Sequence, residues 1–121
     1  MDEFMRIPPH YVEAEQSVLG SLLIDRNALS EVSGRLKSDD FYLEKHKEIY
    51  EAIMTLYEES LPIDIVTVSD ALKRRGTLEK VGDLDYIAQL ANNVPTTANV
   101  SHYASIIQDK ALLRSLIATS G

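Results

Sequence analysis

The chain has 121 residues, no cysteine, twelve basic and nineteen acidic side chains, and a formal net charge of −7. That length makes one domain able to bury a hydrophobic core, and the lack of cysteine excludes disulfides and thiolate metal sites. An acidic balance argues against a nucleic-acid-gripping surface, because that affinity rests largely on Lys and Arg neutralising phosphates.

The first element follows Pro8-Pro9, whose fixed φ and missing N–H groups set a stiff approach. A helix is predicted from about Val12 to Ile24, with Glu13 and Glu15 at its positive end and Ala14, Val18 and Leu22, flanked by Leu19 and Leu23, as one apolar stripe. Asp25-Arg26-Asn27 breaks it, and Asn27 is the expected cap of a short second helix carrying Leu29, Val32 and Leu36. After a break at Ser38-Asp39-Asp40, a third helix runs from about Leu43 to Glu59. Its His46, Ile49, Tyr50, Ile53, Leu56 and Tyr57 recur at three- and four-residue steps.

Pro62 ends that segment. The β-branched run Ile63-Asp64-Ile65-Val66 tempts a strand, but Thr67-x-x-Asp70 reads as a capping box with Asp in place of Glu. The expectation is a short extended entry, then a helix to Arg75 stopped by Gly76. Lys73-Arg74-Arg75, the one basic cluster, suits the negative end of that helix and is a small footprint for phosphate. One helical turn from Thr77 to Val81 is expected to close at Gly82. Asp83 then caps a fifth helix with Leu84, Ile87, Ala88 and Ala91 inward, broken by Asn92-Asn93-Val94-Pro95. The last helix starts near Thr97 or Asn99 and carries Val100, Tyr103, Ile106, Ile107, Leu112, Leu113, Leu116 and Ile117 to the chain's end. Its C-terminal half is widely apolar, and no later helix follows to cover it. These side chains either fold back or need a partner, since packing of the apolar face is what stabilises a helix. Ser120-Gly121 reads equally as a helix stop and as an artificial boundary.

The fold class is therefore all-α, a multi-helix domain. No P-loop and no G-x-G-x-x-G is present, so nothing signals a phosphate cradle. His10, His46 and His102 lack companions at zinc-ligand spacing and are read as packing or capping groups. Asp39-Asp40 and Asp83-x-Asp85 precede helices, where capping explains them. No serine is locally activated. Residues 1–7 lack the basic start and apolar centre of a signal peptide, and no apolar run approaches a membrane span. A cytoplasmic helical interaction module is expected, with no catalytic, cofactor-binding or metal-binding residue.

The wording of several segments adds a resemblance. The run Pro8-Pro9-His10 through Glu13-Ala14-Glu15-Gln16-Ser17-Val18-Leu19-Gly20 closely resembles the start of DnaB-family replicative DNA helicases. Similar in order are Asp40-Phe41-Tyr42 with His46, Ile49 and Tyr50, then Pro62-Ile63-Asp64 with Val66-Thr67, and Gly76-x-Leu78 leading to Val81-Gly82. Tyr86-Ile87-Ala88-Gln89-Leu90 and Val94-Pro95-Thr96-Thr97-Ala98-Asn99-Val100 with Tyr103-Ala104 complete the series, which covers nearly the whole chain. Where the family has a glycine pair, this chain reads Gly82-Asp83, and Asp83 is expected to keep the turn as a helix cap.

The resemblance implies the N-terminal collar domain of a ring-shaped hexameric helicase that unwinds DNA with ATP. It divides the chain into a lead-in over 1–10, a globular helical subdomain over 11–98 and the first arm of a helical hairpin over 99–121. The motor that binds ATP, Mg and DNA would lie C-terminal to it and be absent here. The implied partners are primase, other helicase subunits in a trimer of dimers, and a helicase loader, with no membrane. Glu13, Tyr86 and Ile117 are the implied partner-binding candidates; Ile106, Leu112, Leu113, Leu116 and Ile117 are the candidate oligomerisation face. From the residues alone Tyr86 reads first as a core side chain, and Glu13 as a complement to the helix dipole. Rival readings are the helicase-binding C-terminal domain of a primase, a helical DNA-binding module and a small helical enzyme. The first conflicts with the Pro8-to-Gly20 wording, the second with the charge, and the third with the missing motifs.

Overall fold

A computed structural model describes residues 7–120 and the side chains of residues 7–118. Its helices are α1 (Val12–Ile24), α2 (Arg26–Val32), a 3-10 turn (Ser38–Asp40), α3 (Glu44–Glu58), α4 (Ile65–Arg75), α5 (Asp83–Asn92) and α6 (Val100–Ser120). Among the described residues the fold is all-α, as the helical spacings predict. Residues 1–6, and with them most of the expected lead-in over 1–10, lie outside the described residues.

Three local expectations about helix caps are corrected. The cap of α2 is Asp25, whose side chain accepts the Asn27 N–H at 2.9 Å. A carboxylate two residues upstream reaches an amide that Asn27 cannot reach from within the helix. The capping box of α4 begins three residues earlier than the Thr67-x-x-Asp70 pattern suggests. Asp64 accepts the Thr67 N–H, and the Thr67 hydroxyl accepts the Asp64 N–H, each at 2.9 Å. Residues 65 and 66 therefore form the first turn of a helix rather than an extended entry. Thr77 to Val81 makes one isolated helical turn, as expected, with the Val81 N–H donating to the Thr77 carbonyl at 3.2 Å. Finally, Gly82, at φ +108°, is the cap of α5, while Asp83 takes the left-handed region at φ +64° and turns its carboxylate onto the Leu84 N–H at 2.7 Å. Asp is among the few non-glycine residues that enter that region readily, so the turn survives the loss of the second glycine. Leu84, expected inward, is exposed; Ile87, Leu90 and Ala91 make the buried face.

Helix α1 is the axis of the domain, packed by α2, α3, α5 and α6. It is buried well beyond a single stripe, at Ala14, Glu15, Val18, Leu19, Gly20, Ser21, Leu22 and Leu23. A helix apolar on most sides is a core helix, and α1 serves as one. Around it, Phe41, Ile49, Tyr50 and Ile53, Leu72, Ile87, and Val100, Ala104 and Ile107 close a single core. Tyr50 is fully enclosed and donates its hydroxyl to the Leu36 carbonyl at 2.7 Å.

Helix α6 runs antiparallel to α1. At its beginning the Thr97 hydroxyl donates to Asp25, just past the end of α1, at 2.9 Å. Far along it, Arg114 donates to the Pro9 carbonyl, just before the start of α1, at 2.8 Å. Between these points Arg35 lies along α6, donating to Ser101 Oγ at 2.8 Å, Ser105 Oγ at 2.5 Å and Gln108 Oε1 at 3.0 Å, while Gln108 returns a bond to the Arg35 carbonyl at 2.8 Å.

Gly20 sets the distance between α1 and α5. A Cβ added there would overlap the Leu90 carbonyl oxygen and the Val94 side chain. Backbone cannot step aside as a flexible side chain can, so Gly20→Ala is expected to lower stability by about 1–3 kcal/mol or more. Chemical denaturation of both forms, compared at the midpoint, checks this.

Candidate protein-interaction surface

Helix α6 outruns the helix it packs on. At about 1.5 Å per residue its 21 residues span roughly 31 Å, against about 20 Å for the 13 of α1. Arg114 marks where support ends: it bonds the Pro9 carbonyl, bonds the Asp40 carbonyl at 2.6 Å, and lies 5.5 Å from the Tyr42 ring centre. Tyr42 in turn stacks on His10 at 4.1 Å. On the other side of this stretch, Leu112, Leu113, Leu116 and Ile117 are 44–60% exposed. They lie on the partly exposed side of the C-terminal half of α6. Ile106, grouped with them from sequence, is instead half-buried and packed against the core.

Tyr86 sits at the end of a buried polar chain. The Glu15 carboxylate is 1% exposed and accepts the Tyr42 N–H at 2.6 Å and the Leu43 N–H at 3.5 Å. Leu43 is the cap position of α3 and has no side-chain cap of its own, so Glu15 supplies negative charge to that helix start from across the core. Its other neighbour is His46 Nδ1 at 2.7 Å, and His46 Nε2 lies 2.7 Å from the Tyr86 hydroxyl. A carboxylate can only accept, so Nδ1 carries the proton. In the neutral ring Nε2 then accepts from Tyr86. The Tyr86 hydroxyl is left able to accept from Gln16 Nε2 at 3.3 Å, and every group in the chain is satisfied.

Tyr86 is half-buried, with the Lys45 ammonium 4.0 Å from its ring centre. Glu13, exposed one turn before Gln16 on α1, lies on the same side of that helix as Gln16. The structure thus joins Gln16 and Lys45 to Tyr86 near the start of α1, leaves Glu13 exposed one turn earlier on that helix, and places Ile117 on the arm just past Arg114. The sequence reading gave Glu15 only the helix dipole and His46 only packing or capping, and it did not single out Arg114. A signal for one of them existed: Glu15 shares its helix face with Leu19 and Leu22, and an acid on an apolar face needs a buried partner.

Burial holds the Tyr86 phenol above its ordinary pKa; the Glu15 charge adds to this, and the Gln16 bond opposes it. Burial, together with Asp40, pushes Tyr50 up to about 12. Both phenols hold their protons to higher pH when folded than when unfolded. The stability these two phenols contribute is therefore expected to be fully present below about pH 10, the ordinary tyrosine pKa, and to be lost as pH rises from there towards 12. Ultraviolet titration of phenolate, followed beside circular dichroism, checks that these two rings ionise last. Removing Glu15 orphans His46 and two amides at once. Glu15→Ala is expected to cost at least about 2 kcal/mol, the range for lost bonds to a charged buried group, read as a shift in unfolding midpoint.

Comparison with known proteins is consistent throughout. The model of the DnaB-like helicase N terminal domain matches residues 7–109. The chain is 46% identical over 116 residues to the replicative DNA helicase DnaB of Mycobacterium leprae, covering 96% of this chain and 19% of that protein. It is 44% identical over 115 residues to the replicative DNA helicase DnaC of Bacillus subtilis, covering 95% of this chain and 25% of that one. The chain thus spans only about a fifth to a quarter of these relatives. The crystal structure of the N-terminal domain of DnaB helicase from Mycobacterium tuberculosis superimposes with a TM-score of 0.90 at 45% identity, covering 93% of this chain and 82% of that one. The extent of the family match, with a shared all-helical fold, establishes that this chain belongs to the family of DnaB-like helicase N-terminal domains.

Proposed function

We propose that this domain forms the collar of a hexameric replicative helicase, joining subunits through α6 and receiving primase, with a loader as a further partner. Four branched side chains exposed together on the overhanging end of α6 are the observation that carries this reading. Fully burying each against a second helix would contribute about 1.5–3 kcal/mol, enough to drive pairing of hairpins between neighbours. Acidic charge and the lack of any helix long and apolar enough to cross a membrane among the described residues suit a protein-binding collar in the cytoplasm. Unwinding and the use of ATP and Mg belong, on this reading, to a motor domain outside the 121 residues.

Glu13, Tyr86 and Ile117 are the proposed primase-contact residues. Glu13 and Tyr86 border the same first turn of α1, and Ile117 lies on the arm beyond Arg114. Tyr86 supports its neighbourhood as well, through His46 and Gln16, so a binding role has to be separated from a stability role.

Sedimentation of the 121-residue chain is expected to show a monomer or loose dimer, because α6 lacks a second arm to cover it. A stable hexamer at micromolar concentration would contradict this. With the C-terminal helical domain of primase as ligand, Ile117→Ala is expected to weaken binding by about 1–2 kcal/mol, roughly tenfold in Kd, with an unchanged unfolding midpoint. If Tyr86→Ala loses binding only in proportion to lost stability, its contact role fails.

A further inference from the structure

The hydrogen bonds that end at Tyr86 fix what the surface beside it can accept. Glu15 only accepts, so His46 Nδ1 carries the proton, and in the neutral ring Nε2 takes the Tyr86 hydroxyl proton at 2.7 Å. The Tyr86 oxygen is left to accept, and Gln16 Nε2 donates to it at 3.3 Å. That bond commits the nitrogen of the Gln16 carboxamide to the buried chain. Its Oε1 takes no hydrogen bond among the described residues and is left as a spare acceptor.

Gln16 borders a notch of about 60 Å³ between α1 and α5, lined by Gln16, Tyr86, Gln89, Leu90, Asn93 and Val94. The close approach of the two helices at Gly20 keeps it narrow, since Leu90 and Val94 abut that glycine and also wall the notch. Gln89 and Asn93 are exposed, and neither side chain bonds another described residue. The lining thus brings three carboxamides together with no carboxylate and no cation. Lys45 sits on the Tyr86 ring, 4.0 Å from its centre, and does not line the notch.

Gln89 and Asn93 can present either end of their amides. Gln16 and the helix decide for oxygen. The notch lies at the C-terminal end of α5, whose last turn holds no basic residue, so the negative end of that dipole is unanswered. A space of this size has room for about two waters. It suits an ammonium with its last methylene and is too small for a ring or a branched anchor. Leu90 and Val94 offer the stem an apolar wall, which is how a lysine divides between apolar and polar surroundings.

We propose that this notch receives the ammonium of a lysine side chain on a partner protein. The head donates to Gln16 Oε1 and to the amide oxygens of Gln89 and Asn93, and the stem lies on Leu90 and Val94. Glu15 and His46 are positioning residues: they touch no partner and set which atom Gln16 presents. Because the notch borders Tyr86, its protein partner rests on the contact reading of that residue, whereas its affinity for an ammonium does not.

Side-chain carboxamides give their own NMR signals, so the site can be watched directly. Millimolar n-butylammonium is expected to shift the side-chain signals of Gln16, Gln89 and Asn93 above all others, while butyrate and butanol leave them in place. Acetyl-lysine methylamide should act as butylammonium does; binding of the free amine without it would overturn a side-chain source. Gln16→Leu should weaken binding about tenfold, as expected for a lost bond to a charged group, with little change in the unfolding midpoint. Gln89→Glu adds a carboxylate at the rim and should tighten binding several-fold, a gain that loss of structure cannot produce. Tyr86→Phe frees Gln16 to turn and should weaken binding although it removes no atom that bonds the ammonium. Shifts spread evenly over the acidic surface, equal shifts with butyrate, or unchanged affinity in Gln16→Leu would overturn the proposal. These probes are small molecules, so the notch can fail while primase still binds the domain, and can succeed while primase does not.

Discussion

One buried carboxylate holds the domain's parts in register. Glu15 takes the amides that open α3 and the Nδ1 proton of His46, and His46 carries the connection to Tyr86 on α5. Three helices and the loop before α3 thus meet at a single acid on α1. Such an arrangement is stringent. In a low-dielectric interior each member stabilises the others only if all are satisfied, and the directions of the bonds allow one protonation pattern in the neutral ring. Packing alone brings helices together approximately; a directed chain of this kind fixes their rotation. That rotation decides which face of α5 carries Tyr86 to the surface.

The second constraint is one of length. Helix α1 sets the depth of the core, and α6 exceeds it by about eight residues at the rise of an ideal helix. Arg35 and Arg114 bind the supported portion of α6 through serine, glutamine and backbone carbonyl acceptors, which commits its direction and register. The stretch from Leu112 to Ile117 carries four large apolar side chains that are about half exposed.

Much of the fold was legible because its helices carry strong three- and four-residue spacing. The first helix, the third and the Gly76 stop fall where the pattern puts them. Caps were harder. At residues 25–27 and 64–67 several polar side chains compete to cap, and the winner is set by which one the preceding loop leaves extended: Asp25 and Asp64 both take β backbone conformations. The burial of α1 was also understated, since a stripe of five apolar residues does not reveal that four other helices surround it. Of the candidate residues, the apolar content of residues 112–117 was legible, but whether they fold back or stay exposed was left open until their exposure was seen. The half-buried place of Ile106 and the hydroxyl partners of Tyr86 depend on contacts 40 to 70 residues away in the chain.

By itself, then, the sequence determined the number and type of helices, the absence of thiolate chemistry, and, through the wording of its motifs, the family. Those properties are local or compositional: helical spacing, residue inventory and short runs are all carried along one strand of chain. Only the tertiary structure decided that Glu15 is a buried hub rather than a complement to the helix dipole, and that α6 outruns α1. Each of these is a relation between elements distant in the chain. Burial and length mismatch exist only once the helices have been placed against one another.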